Sequence, residues 1–291
     1  MNTLLIERCL NRATVDGHNA AVANRPLTGI ELMMLQPSQV PEERLAAVRD
    51  AISRTPRHIA GIVLGNPFYF DVMKIDGVDT NTSACRPPLI DVLTRSSDGW
   101  QGHYCQPKAI ENLARSAGYT PDSHTNIVVA GHTTATCSAV IALARRTSQT
   151  HLVSLARDPF RELNRFSRKT GREAKLHHGK RASAELARTL TMPAVVVIET
   201  FDKPDSEDYA ERVLPDESLR DLPDGSIVID VGSHSKRRAL TERVEEFDHL
   251  SICGGVEFTA RLILAQEKTI HGGKIPFMPI LEAITNDKSE Y

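Results

Sequence analysis

The stretch Asn126–Arg146, NIVVAGHTTATCSAVIALARR, decides how this chain is read. It opens with an apolar β-type run, Ile127–Ala130, and breaks at Gly131. Ala139, Val140, Leu143 and Ala144 then follow at helical spacing. A buried strand, a tight turn and a helix make the first βα step of a dinucleotide-binding fold, in which the helix N-terminus receives a pyrophosphate. The working turn is rich in glycine, because only glycine lets backbone N–H groups come close to the phosphates. Here it reads Gly131-His132-Thr133-Thr134-Ala135. One glycine is kept, and bulkier side chains take the places along which a ligand would lie. The expectation is an architecture retained with its binding chemistry removed.

Downstream, His151–Ala156 reads as the next strand and runs into Arg157-Asp158-Pro159. In dinucleotide folds the end of this strand meets the adenosine ribose, and an arginine there accommodates a 2′-phosphate. Arg157 is either that arginine or a surface residue opening a helix. The run Arg161–Arg188 is rich in Arg, Lys and His but is interspersed with Glu162, Glu173 and Glu185. Without the regular aromatic interleaving of single-strand binders, it is read as a solvated face. Ala194–Ile198 and Ser226–Val231 are buried strands. Asp202–Pro223 between them is expected to hold one helix flanked by loops, its acids solvating the surface rather than binding metal. Gly254-Gly255 introduces a helical pattern, Val256–Glu267, followed by Gly272-Gly273, a tail through Pro276 and Pro279, and a frayed end at Asn286–Tyr291.

Upstream, Thr3–Ile6 and Gly29–Met34 read as strands, with a helix over Asp16–Ala23 between them. Pro41–Arg54 is an amphipathic helix, with proline near its start, acids in its first turn, and Leu45, Val48 and Ile52 on one face. The apolar strand Ile59–Leu64 ends in Gly65-Asn66-Pro67-Phe68-Tyr69. Strands alternating with helices imply a mostly parallel α/β layer, whose ligands sit at the carboxyl ends of the strands. An exposed turn is expected at Arg95-Ser96-Ser97-Asp98-Gly99, and Trp100 is read as a packing anchor. Pro107–Ala117 is helical.

At 291 residues the chain is long enough for two domains, and its net charge of −2 gives no electrostatic reason for tight nucleic-acid or membrane binding. The five cysteines are scattered without zinc spacing, no run approaches a membrane span, and residues 1–10 carry no secretory pattern. An intracellular protein, cytoplasmic or nuclear and without a metal site, is expected.

The order of elements resembles shikimate dehydrogenase along nearly the whole chain. The residues that carry the match are His18-Asn19, Gly61–Leu64 with Pro67, Asn81-Thr82, Asp98–Gly102, Val129–Gly131, Arg157, Gly255–Phe258, and Gly272 with Pro276. The resemblance implies a two-domain α/β fold. Residues 1–105 plus 256–291 would form an N-terminal substrate-type domain, residues 106–255 a degenerate Rossmann-like domain, with the C-terminal helix returning to the first. It also implies departures. The family's two substrate-binding serines fall at Arg12 and Thr14, and its catalytic lysine at Tyr69. The partner aspartate falls at Gln106 within His103-Tyr104-Cys105-Gln106, and the substrate-contacting glutamine at Leu262. Asn81 alone is kept outright among these groups.

A ketone reduction needs a proton donor near the developing alkoxide, which lysine paired with aspartate supplies. An ordinary tyrosine titrates near pH ~10, and Gln106 gives it no carboxylate partner. The expectation is a pseudoenzyme without a cofactor, NADP returning only if the family function is retained through Gly131, His132, Thr133, Thr134 and Arg157. The pattern resembles the final unit of the fungal quinate repressor, which implies a quinate- or shikimate-type ligand or a transcription-activator partner, and no direct DNA contact. Two alternatives stay open. One is a non-redox isomerase, lyase or cyclase using Tyr69, His103, Tyr104, Cys105 and His132; the other is an NADP-dependent dehydrogenase with an atypical substrate.

Overall fold

The computed structural model describes residues 1–8, 11–65, 68, 74–79, 89–131, 133–179, 181–200, 207–232 and 237–286. The chain divides into two compact units, Met1–Gln106 with Ala260–Tyr291, and Pro107–Thr259. The fold is α/β, with one six-stranded sheet in each unit.

The first unit carries β1 (Asn2–Glu7), α1 (Arg12–Val22), β2 (Ile30–Met34), α2 (Pro41–Ser53), β3 (Ile59–Leu64), β4 (Val78–Asp79), β5 (Val92–Ser96) and β6 (Gly99–His103). Its sheet order is β2-β1-β3-β5-β6-β4. β1, β2 and β3 are parallel, as alternating strands and helices demand. The layer is mostly parallel, as expected, with β4 and β6 also paired in parallel; only β5 runs against the rest, forming an antiparallel hairpin with β6 beside β3. The expected turn at Arg95–Gly99 is the tip of that hairpin. Trp100 is buried in the core with Leu4, Ile6, Ile62 and Leu93, and the Arg95 guanidinium lies 4.3 Å from its ring centroid.

On another face of this sheet, Leu262, Ala265 and Ile270 of α10 (Val256–His271), within which the division of the chain falls, pack with Leu5, Val63 and Val92, and α11 (Phe277–Thr285) packs on α1. The expected tail through Pro276 and Pro279 is instead a helix from Phe277, with Pro279 inside it. That proline sits in the first helical turn, where its missing N–H has no intrahelical role, and Ile280 and Ile284 are buried. α1 packs on α10 and α11 at Gly17. A Cβ there would stand 2.7 Å from Ile263 and 3.0 Å from Ile284, so the helices approach where only glycine leaves room.

The second unit holds α3 (Gln106–Ser116), β7 (Asn126–Ala130), α4 (Thr134–Leu143), β8 (Gln149–Ser154), α5 (Pro159–Thr170), β9 (Lys175–His178), α6 (Ala182–Thr189), β10 (Ala194–Ile198), α7 (Glu207–Val213), α8 (Asp216–Asp221), β11 (Ser226–Asp230), α9 (Arg237–Glu245) and β12 (Leu250–Gly254). All its strands are parallel, in the order β12-β11-β10-β7-β8-β9. Numbered from β7 this is 3-2-1-4-5-6, the order of a dinucleotide-binding sheet. β7, β10 and β11 are buried at every residue, which is why their central residues read as unbroken apolar runs.

Two expectations need correction here. Among the described residues between β10 and β11 there are two short helices, α7 and α8, rather than one; Pro215 separates them and stands at the N-cap of α8. The basic run Arg161–Arg188 is not one solvated face. It contains α5, whose Phe166 is wholly buried, the edge strand β9, and α6 with its buried Ala184, Leu186 and Ala187.

Candidate functional site

A sheet ordered like that of the second unit opens a crevice at the carboxyl ends of β7 and β10, where the connections part to opposite sides. The turn singled out in the sequence lies there. Gly131 has φ +82°, a left-handed conformation that side chains disfavour, and its N–H donates to Val153 O at 3.1 Å. A Cβ built on it would stand 2.7 Å from the Tyr209 hydroxyl, so α7 lays a tyrosine over the turn. Thr133 is the N-cap of α4. Its hydroxyl oxygen accepts from Thr136 N at 3.2 Å, and its hydroxyl also bonds the carboxylate of Glu199, the residue that follows β10.

Glu199 is the most unusual group of this crevice. Its Oε2 is buried with no hydrogen-bond partner among the described residues. Burial, with a smaller contribution from Asp230, raises its pKa to about 7. Burial likewise pushes Tyr209 up to about 12, with Glu162 and Glu199 adding to it, so its hydroxyl stays neutral. Ser154, at the end of β8, donates to Glu162. Asp230 ends β11, is wholly buried, and accepts from Thr200 N (3.1 Å), Thr200 Oγ1 (2.8 Å) and Gly232 N (2.9 Å). Thr134 opens α4 half-buried, and Arg157 is exposed. His132 lies outside the described residues.

In the first unit the corresponding strand ends also carry carboxylates. Glu7 ends β1 with its carboxylate against the α-carbon of Gly65, just past β3, and burial raises its pKa to about 7. Asp91 stands on the other side of β3, where its carbonyl accepts from Leu64 N at 3.0 Å. Its carboxylate receives Cys105 N (2.7 Å) and Gln106 N (3.1 Å), tying down the start of α3. Burial outweighs these hydrogen bonds and raises Asp91 to about 7 as well.

The predicted residues of this unit divide among several environments. His103 closes β6 half-buried, with Nε2 2.7 Å from Thr94 Oγ1, and burial lowers its pKa. Tyr104 packs against the core beneath the hairpin. Cys105 is buried 3.4 Å from Thr269 Oγ1 and is held well above the usual thiol range by burial, so it is not a ready nucleophile. Gln106 opens α3, and Leu262 packs with Leu5, Val63 and Val92. On α1, Arg12 is exposed and Thr14 is half-buried, its N–H donating to the Asn11 cap at 2.9 Å. Tyr69 and Asn81 lie outside the described residues.

Sequence reasoning missed Glu7, Asp91, Glu199 and Tyr209. Glu7 and Glu199 share a signal, each standing at the end of an apolar run, LLI or AVVVI, where a parallel strand stops; Asp91 instead precedes the antiparallel β5. A further buried network ties α1 to α10. His18 Nδ1 lies 2.6 Å from Glu267 Oε1, and Thr3 Oγ1 donates to Glu267 Oε2 at 3.1 Å. His271 Nε2 lies 2.9 Å from Thr3 Oγ1 and 3.3 Å from Glu267 Oε2. Among the described residues there is no group of three side chains placed to hold a metal ion, and no helix is long and apolar enough to cross a membrane.

No family model and no curated protein matches the chain. Solved structures do. The shikimate dehydrogenase of Mycobacterium tuberculosis superposes with a TM-score of 0.70 over 98% of each chain at 16% identity. The shikimate 5-dehydrogenase of Listeria monocytogenes, crystallised with shikimate and NAD, gives 0.72 over 96% of this chain and 94% of that one at 14% identity. The fold is that of the shikimate dehydrogenases. The dehydroquinate dehydratase and shikimate dehydrogenase of S. pombe AroM, at 17% identity and a TM-score of 0.69, covers 98% of this chain with 52% of its own length. At such identities the likeness speaks for architecture, and the chemistry must be read from the strand-end side chains.

Proposed function

We propose that this shikimate dehydrogenase-like chain is a pseudoenzyme that works by binding rather than by hydride transfer. The observation that carries the reading is the half-buried Glu199 at the N-terminus of α4, its Oε2 out of water and without a hydrogen-bond partner among the described residues, with Tyr209 laid over Gly131. A pyrophosphate is welcomed at such a helix end by bare N–H groups and the positive end of the helix dipole. Here Thr133 already caps the helix, and an incoming phosphate meets a carboxylate. That carboxylate either repels it or must first take up a proton, so any NADP affinity is weak and rises as pH falls below about 7. The departures at Arg12, Tyr69, Gln106 and Leu262 agree with this reading. On it, the first unit senses a quinate- or shikimate-type acid or the chain restrains a transcription activator, in the manner of the quinate repressor it resembles.

Titration with NADPH followed by calorimetry tests the reading, together with NADP-linked oxidation of shikimate and quinate. The expected outcome is no saturation below roughly 1 mM and no turnover. Micromolar binding at pH 7–8, or turnover at the 1–1,000 s⁻¹ or so of ordinary enzymes, would return the chain to the dehydrogenases. A thermal-shift series with quinate, shikimate and dehydroshikimate tests the sensing arm, since a ligand of the folded state alone must raise the melting point.

A second reading is favoured by Glu7 and Asp91, two carboxylates at neighbouring strand ends both poised at about 7. Groups so tuned suit general acid–base work without a redox cofactor. It predicts that Glu7→Gln abolishes turnover of a sugar-acid substrate while leaving its binding intact. Undiminished turnover in that variant rules this reading out.

A further inference from the structure

Between Arg157 and Arg181 the sequence places nine Lys or Arg against three Asp or Glu, in a chain whose net charge is −2. Much of that charge is carried by α5, whose inner face is fixed by the wholly buried Phe166 and the half-buried Leu163. At about 100° per residue, Phe160, Asn164, Arg168, Arg161 and Arg165 fall in that order within an arc of roughly 140° on the opposite face. All five are exposed, Phe160 to 70%. Arg168 donates only to Asn164 O of its own helix, at 3.4 Å. Among the described residues no carboxylate lies within ion-pair reach of Arg161, Arg165 or Arg168.

Folding does not account for this face. α5 is held by other features: the Asp158 cap on Arg161 N at 2.9 Å, Pro159 at its start, Gly171 in the left-handed conformation after its end, and Phe166 in the core. Arginines three and four apart repel one another, and Arg161 sits in the first turn, where the helix dipole favours acids. An exposed phenylalanine beside them adds apolar surface that water does not favour. Planar guanidinium forks, rather than lysine ammoniums, match carboxylates in bidentate pairs.

We infer that the outer face of α5 docks an acidic protein segment bearing an apolar side chain that covers Phe160. Its carboxylates pair with Arg161, Arg165 and Arg168. The stripe from Phe160 to Arg168 is only about 12 Å long, the reach of a short peptide. Asp158 and Glu162 bound it at one end and Glu173 lies beyond the other, so a continuing phosphodiester backbone would leave the arginines for like charge. Docking of this kind needs nothing of the turn at Gly131 and stands whether or not NADP binds there.

The test is fluorescence anisotropy of the full chain with three labelled probes. These are a 12-residue peptide of Asp and Glu with Leu at every fourth position, an all-Glu peptide of equal length, and a 20-base-pair duplex DNA. The Leu-containing peptide is expected to bind most tightly. Arg161→Gln/Arg165→Gln/Arg168→Gln should weaken it about tenfold or more. Phe160→Ala should weaken it about threefold and leave the all-Glu peptide unaffected. Because these side chains are exposed, the melting point should not move; if the triple variant does melt early, each single arginine variant should still weaken the peptide. Absence of peptide binding, equal binding by the arginine variants, or tighter binding of the duplex would overturn the assignment.

Discussion

Each unit takes a glutamate at least partly out of water, and the two are treated in opposite ways. Glu267 of the first unit has both oxygens engaged, Oε1 by His18 and Oε2 by Thr3 and His271. Glu199 of the second has one hydroxyl, that of Thr133, and an Oε2 with no partner among the described residues. A satisfied buried carboxylate joins elements into one geometry, here α1, β1 and α10. A half-satisfied one is held in place by its surroundings at a standing energetic cost. The first arrangement suits a lock and the second a blocked or altered site, and the difference can be measured.

The largest effect should come from breaking the lock. Glu267→Ala leaves His18 buried beside an empty partner site and should destabilise the first unit by about 3–5 kcal/mol. Trp100 is the only tryptophan and lies in the core of that unit, so its fluorescence during urea unfolding reports this transition separately from the second unit. A change below about 1 kcal/mol would mean that the network joins α1 to α10 no more firmly than apolar packing does.

Glu199 should show the opposite signature, in pH rather than in magnitude alone. Its pKa is raised from 4.5 to about 7 on folding. Between those values the folded state holds a proton that the unfolded state has lost, so the wild type loses stability as pH rises through about 4.5–7. Glu199→Gln removes that titration, and its stability relative to wild type should improve by roughly 3 kcal/mol between pH 4.5 and 8. Histidines pull the other way, His151 being lowered to about 4 by burial first and His177 second, and they cancel in the difference between variant and wild type. A difference flat in pH, followed by calorimetry, would show the carboxylate to be as well solvated as a surface one.

The same crevice can be probed from its backbone. Gly131→Ala forces a side chain onto a φ of +82° and toward the Tyr209 hydroxyl, and should destabilise the second unit by about 1–2 kcal/mol. Tyr209→Phe removes the hydroxyl, and a double-mutant cycle should recover part of that loss. Strict additivity would place Tyr209 elsewhere than over the turn.

Much of this architecture was legible because it is local. The β7–Gly131–α4 step, the strand Ile59–Leu64 and the helix from Pro41 each announce themselves within a dozen residues. What stayed hidden depends on distant partners. β9, KLHH, is a polar edge strand recognisable only by its pairing with β8, and the β5–β6 hairpin makes the first sheet mixed through contacts with β3. The site divides in the same way. Gly131 and Thr133 could be named from their motif, whereas Tyr209 reaches Gly131 from far along the chain and Glu199 reaches Thr133 from a different strand. Spacing along the sequence carries no trace of such meetings.

Asp91 lies between the two extremes, and as a cap alone it gives the smallest expected effect. Like Glu267 it has both oxygens engaged, by Cys105 N and Gln106 N, yet like Glu199 its pKa is raised to about 7 by burial. If the two backbone bonds govern, Asp91→Ala should cost about 1–2 kcal/mol, as loss of a helix cap does. Asp91→Asn keeps one acceptor and should lose about half of that. If burial of charge governs instead, Asp91→Asn should equal or exceed the wild type above pH 7, where the native carboxylate is ionised, and fall behind it only below pH 4, where both folded and unfolded states are protonated. Trp100 fluorescence at the two pH values separates these outcomes. The first would group Asp91 with the lock of the first unit, and the second would make it a proton-holding group at a strand end, the counterpart of Glu199.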